Sequence, residues 1–147
     1  MDDPAALLAA VLHDVVYEPT RSDNEEASAR YAARVLAHLE AAVVGRTCEL
    51  VLATKAHDTC RPGDRSCAAL LDADLAILGA PAERYERYAA AIREEYGHVP
   101  EESFRAGRRA VLEGFLARDR LFLTDDVHER LDAAARANLR REITRLC

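Results

Sequence analysis

A chain of 147 residues, half of them apolar, is long enough for one domain with a buried core and short for two. Its formal net charge of −6, with both signs along the polar faces, argues against nucleic-acid binding through phosphate contacts. No apolar run approaches the ~18 residues that span a bilayer, and the acidic opening MDDP lacks the basic start of a secretory signal.

The periodicity is helical throughout. The first helix starts at Ala5, runs through Ala, Leu and Val to His13-Asp14, and continues to Tyr17 before Glu18-Pro19 stops it. Being apolar on nearly every face, it is expected to pack on all sides. Asp14 falls on the face of Leu7 and Val11, and His13 follows Ala9 by one turn. A buried carboxylate costs several kcal/mol unless it is partnered. A divalent cation suits adjacent imidazole and carboxylate, whereas a capped carbonyl for His13 and an arginine for Asp14 is the purely structural alternative.

The loop TRSDN follows, in which Ser22, Asp23 or Asn24 caps a second helix whose first turn carries Glu25 and Glu26. Over Asn24 to Val44 the residues Ser28, Tyr31, Ala32, Val35, Leu39, Ala42 and Val43 share a face, with His38 at the surface and Gly45 as the C-cap. A third helix, from Thr47 or Cys48 to Thr59, puts His57 on the apolar side with Leu50, Ala53 and Thr54. There a hydrogen-bonded core histidine is the common use.

Residues 61–66, RPGDRS, form an irregular loop between Cys60 and Cys67. The spacing of His57, Cys60 and Cys67 matches no common zinc site. None of the four cysteines (Cys48, Cys60, Cys67 and Cys147) forms a CxxC pair, and with no signal segment they suggest reduced thiols in a cytoplasmic protein. A disulfide closing the loop is geometrically conceivable but disfavoured there.

CAALLDADLAILG is a buried helix ended by Gly79 and Pro81, interrupted by Asp72 and Asp74, which point to different sides. Beyond it, Tyr85, Tyr88, Ala89, Ile92 and Tyr96 form a stripe, then Phe104, Arg108, Val111, Leu112 and Phe115 another. Arg93, Arg105, Arg108 and Arg109 are candidates for a phosphate-facing patch, with surface salt bridges as the commoner use. Leu121-Phe122-Leu123 precedes a Thr124-Asp125-Asp126 cap. The last helix runs to Leu146 on a stripe of Val127, Leu131, Ala134, Ala135, Asn138, Leu139 and Ile143, where Asn138 bonds a backbone group. The expectation is one all-α helical bundle of about six to seven helices spanning 1–147.

The order HDVVYEP, DNEEASA, TKAH, LDADLAILG and IREEY resembles a bacterial branch of the HD-domain superfamily of metal-dependent phosphohydrolases, from Ala5 to Leu146. The resemblance implies an HD-like fold and nominates Asp74 as a late metal ligand, with Asp72 behind it or in its place. The family pattern also has a first His on an earlier helix. Only twelve residues precede His13 and none is histidine, so the expectation is an N-terminally shortened chain that retains His13, Asp14 and Asp74, with His57 supplying the missing nitrogen. A divalent ion (Mn, Fe, Ni, Zn or Mg) on these residues would polarise a phosphoryl oxygen and acidify a bound water. Glu25 or Glu26 would orient that water or act as base, and Lys55 or an arginine would balance phosphate charge.

The implied function is hydrolysis of a small phosphorylated substrate, a nucleotide among the candidates. The apolar surface left by the missing segment implies a homodimer. The competing expectation is a helical protein with a relic metal site that acts through self-association. A weaker one is a thiol-dependent metal or redox sensor using Cys60 and Cys67.

Overall fold

The computed structural model describes residues 3–57 and 60–147. The described residues form seven α-helices and no strand, as the periodicity predicts: α1 (Pro4–Leu12), α2 (Asn24–Val35), α3 (Ala41–Ala53), α4 (Arg65–Leu75), α5 (Ala82–Glu95), α6 (Glu101–Leu116) and α7 (Asp125–Leu146), with a 3₁₀ helix at Ala76–Gly79. No helix among them is long and apolar enough to cross a membrane. The chain packs as two compact units, the first ending at Asp74 and the second running from Leu75 to Cys147.

In the first unit α3 packs on both α1 and α2. The α1 face in that contact is Ala5, Ala6 and Ala9, all buried, so small side chains allow the helices close approach. Pro4 at the first turn and the Asp3 carboxylate, accepting from the Ala5 N–H at 3.0 Å, start α1. Leu50 and Val51 of α3, Ala29 and Ala32 of α2, and Leu70 and Leu71 of α4 complete the core.

The helix boundaries differ from the sequence expectation in several places, among them the expected helix ending at Gly79, which is α-helical only to Leu75 and 3₁₀ from Ala76 to Gly79. α1 stops at Leu12 rather than near Tyr17, and it is buried on one face only: Leu7 and Val11 are 54% and 78% exposed. The expected helix from Asn24 to Val44 is broken after Val35. Leu36 closes α2 and Glu40, in an extended conformation, opens α3. Gly45 therefore sits inside α3 instead of capping a helix. The expected end of the third helix at Thr59 lies outside the described residues.

The second unit wraps the 3₁₀ turn and α5 and α6 around α7. Its core is Leu75, Leu78, Tyr85, Leu112, Leu121, Phe122, Ala135 and Leu139. Asn138 bonds backbone as expected, its amide donating to the carbonyls of Leu78 and Ala80 at 2.8 and 2.9 Å. A second polar cluster lies on the same helix. Arg108 makes two hydrogen bonds to Glu142, which also accepts from the Tyr85 hydroxyl. Burial and that carboxylate push the Tyr85 hydroxyl up.

Candidate metal centre

His13 is the C-cap of α1, its N–H closing on Ala9 O at 2.9 Å. Its ring Nδ1 lies 3.1 Å from the Ala10 carbonyl, so an Nδ1–H donated there orients the imidazole and leaves Nε2 directed at the carboxylates. Nε2 lies 3.2 Å from Asp14 Oδ2 and 3.2 Å from Asp74 Oδ1. Asp74 comes from the end of α4, and its Oδ2 is 2.5 Å from His57 Nε2. Ligand atoms of His13, Asp14 and Asp74 all lie within 4.8 Å of one another.

Two carboxylates beside His13 hold its imidazole strongly toward the charged form. Hydrogen bonds to Asp14 and then Asp74 push its pKa up to about 10, against the opposing effect of partial burial. Burial works to raise Asp74, but hydrogen bonds from His13 and His57 overcome it and hold the carboxyl well below the usual range. The arrangement is one imidazolium between carboxylates, and a divalent cation in place of that proton would have its charge of +2 matched by the two carboxylates beside a neutral imidazole. The donor set of one nitrogen and two oxygens fits such an ion, and three protein donors leave coordination positions for water or substrate.

Asp14 differs from the expectation of a buried carboxylate. Its side chain is 67% exposed, against 18% for His13 and 24% for Asp74. The reason is local: α1 ends at Leu12, so Asp14 leaves the helix two residues later, and the Leu7–Val11 face it was expected to share is itself exposed. His57 is brought to Asp74 rather than into the trio. It stands beyond the end of α3 with φ +53°, in the left-handed region, which for a non-glycine residue costs on the order of 1–3 kcal/mol. Asp72 is fully buried.

Of the other candidates, Lys55 donates to Glu26 Oε1 at 2.5 Å and to the Ser22 carbonyl at 3.0 Å. That pairing lowers the pKa of Glu26 and makes it a weak base. Glu26 Oε2 is buried with no hydrogen-bond partner among the described residues. Glu25, in the same turn of α2, is half-buried. The four arginines nominated for phosphate are engaged in ion pairs: Arg93 and Arg105 with Glu101, Arg108 with Glu142, and Arg109 with Glu113.

Sequence reasoning missed two positioning residues. Val16 N–H donates to Ser28 Oγ at 3.0 Å, and the Ser28 hydroxyl faces the Val16 carbonyl at 3.2 Å. The Asn24 side chain likewise accepts from Glu18 N–H and donates to Glu18 O. One turn apart on α2, they clamp the segment that follows His13-Asp14. The signal was present as a serine within an otherwise apolar stripe, spaced four from an asparagine.

The cysteine expectation is corrected. Cys60 and Cys67 form a disulfide with Cα atoms 5.9 Å apart, leaving only Cys48 and Cys147 as free thiols. The turn at Gly63, φ +81°, brings the ends of the short loop within bridging range. With both sulfurs joined, the His57, Cys60 and Cys67 zinc reading has no thiolates. No protein-family model, curated protein or solved structure matches the chain.

Proposed function

We propose that this chain is a metal-dependent phosphohydrolase of the HD type, acting on a small phosphate ester, with nucleotides among the candidates. The observation that carries the reading is the convergence of His13, Asp14 and Asp74 from two segments some sixty residues apart. A divalent ion there would supply Lewis-acid polarisation of the phosphoryl group and a bound water of lowered pKa. His13 and Asp74 are oriented by Ala10 O and His57, the kind of outer contact that fixes ligand geometry. Glu25 is the better base of the two candidates, because Glu26 is paired with Lys55. The same reading includes a homodimer formed through the exposed side of α1; the cytoplasmic location expected from reduced thiols loses that support with the Cys60–Cys67 bridge.

The test is metal content by elemental mass spectrometry, followed by hydrolysis of p-nitrophenyl phosphate and a nucleotide panel. Near-stoichiometric metal that is lost in Asp74→Ala, with phosphate release lost in parallel, is the expected result. Absence of metal after soaking in Mn, Fe, Ni, Zn and Mg overturns the reading.

One observation favours a second reading, a relic site in a protein that acts through self-association. Both nitrogens of His13 and both oxygens of Asp74 already have partners within the protein. A network satisfied in this way holds together without an ion.

A further inference from the structure

The Cys60–Cys67 bridge is not used by the proposed hydrolysis. Both cysteines border a pocket of about 310 Å³ whose walls also include Arg46, Glu49, Arg61 and Asp64. Arg46 donates to Asp64 at 2.5 and 2.6 Å and to Glu49 at 3.2 Å, and Arg61 pairs with Glu49 at 2.5 Å. Two guanidiniums and two carboxylates therefore stand beside a sulfur–sulfur bond. Cys67 is buried, while Cys60 is the more exposed of the two.

The bridge also ties together the two sides of a contact at the metal centre. Cys60 follows His57 by three positions, and Cys67 precedes Asp74 by seven on α4, two turns away on the same face. His57 and Asp74 are seventeen positions apart in sequence, and the disulfide short-circuits the stretch between Cys60 and Cys67, themselves seven positions apart. Shortening the effective tether raises the local concentration of His57 at Asp74. At the foot of α4 the Asp64 carboxylate accepts from the Cys67 N–H at 3.0 Å and anchors Arg46 of α3.

We propose that Cys60–Cys67 is a thiol-exchange site for a low-molecular-weight, zwitterionic thiol, and that its opening releases the His57–Asp74 hydrogen bond. The thiolate of the small thiol attacks Cys60 Sγ. A mixed disulfide forms, the Cys60–Cys67 bond breaks, and Cys67 leaves as a thiolate that takes a proton. A second small thiolate attacks the non-protein sulfur of the mixed disulfide, expelling Cys60 as a thiolate that is protonated in turn. Two small thiols are oxidised to one disulfide, and the protein bridge is reduced by the same two electrons to two thiols. The ligand's carboxylate and ammonium groups would exchange partners with the Arg61–Glu49 ion pair at the pocket wall. The inference needs the His57–Asp74 contact and not the ion, so it stands apart from the proposed hydrolysis.

The experiment uses the full chain, labelled with nitrogen-15, in glutathione buffers of graded redox ratio at fixed pH. Alkylation and intact mass report the bridge, and long-range imidazole spectra report the histidines. Reduction is expected to add two alkylation sites to Cys48 and Cys147. The Cys67→Ser variant is expected to capture one glutathionyl group at Cys60 from oxidised glutathione. The downfield His57 Nε2–H signal is expected to be lost as the bridge opens, with His98 and His128 unmoved. The Cys60→Ser/Cys67→Ser variant should show the reduced His57 spectrum without any thiol. If it fails to fold, the two redox forms of the unmodified chain decide. A bridge inert to millimolar glutathione, or identical His57 signals in both redox forms, overturns the proposal. Metal binding is measured separately: absence of Mn, Fe, Ni, Zn and Mg from both forms defeats the hydrolase reading and leaves the histidine result to stand.

Discussion

His13 is one imidazole facing two carboxylates, and its proton stabilises the metal-free fold. Its folded pKa, about 10, lies above the unfolded value of 6.5. A group raised on folding contributes fully below its unfolded pKa, and the contribution fades as pH climbs through the folded one. The metal-free protein is therefore expected to lose thermal stability steadily between pH 6.5 and about 10. His13→Gln should flatten that slope, as read by circular-dichroism melts across the range, and an equal slope in both proteins would refute the assignment. Asp74 acts with the opposite sign: depressed below its ordinary 3.8, it contributes above that pH and loses its effect only in strong acid. The His13-Asp14 pair and Asp74 were legible as residues because a ligand-type pair on an apolar helix and a carboxylate in an apolar run stand out. His57 was named with them, but as a metal ligand standing in for a missing histidine and not as the hydrogen-bond partner of Asp74. His57 reaches it from beyond a helix end through a left-handed backbone, and helical periodicity carries no information about such a position.

Among the elements, the helices were legible and several ends were not. The stripe Val35, Leu39, Ala42 and Val43 keeps helical spacing straight through the break between α2 and α3, with no Pro or Gly to mark it. Val35 and Leu39 are in fact exposed, and Leu36 takes the buried position. Gly45 looked like a stop signal but lies within α3, where an added Cβ would meet nothing within 4 Å. Gly79 is the opposite case. It ends the 3₁₀ helix against α7, and a Cβ there would stand 2.7 Å from Leu131 Cβ and 3.1 Å from Leu131 O. The contact is with a Cβ and backbone, which cannot rotate away. Gly79→Ala is expected to destabilise by about 1–3 kcal/mol, the usual range for overpacking. Urea unfolding should show a lower midpoint with an unchanged slope. Gly45→Ala is the control, expected to be neutral or slightly stabilising because alanine is the better helix former. A Gly79→Ala protein as stable as the parent would mean that the turn moves freely against α7.

At the scale of the whole molecule, periodicity set the all-α class but could not say which side of α1 would be covered. A helix reading PAALLAAVL has apolar residues on every face, and its packed side turned out to be the alanines. The larger Leu7 and Val11 are left outside one turn apart, with Val15 and Tyr17 exposed further on. No residue from Pro4 to Leu12 is charged, so two copies can bring this surface together without like-charge repulsion, despite the net charge of −6. Exposed apolar surface of this kind favours burial against a partner, and a second copy is the partner proposed above. Light scattering after size exclusion is then expected to give about twice the 16.2 kDa chain mass at micromolar concentration. Leu7→Glu/Val11→Glu places two carboxylates on that surface in each copy, and should return the mass to that of one chain without loss of helical signal. Both positions are exposed, so the substitution leaves the alanine face of α1 in place and separates association from folding. A parent protein that elutes as a single chain at the same concentration would remove the dimer from the proposal, and would leave the His13, Asp14 and Asp74 cluster to be judged on metal binding alone.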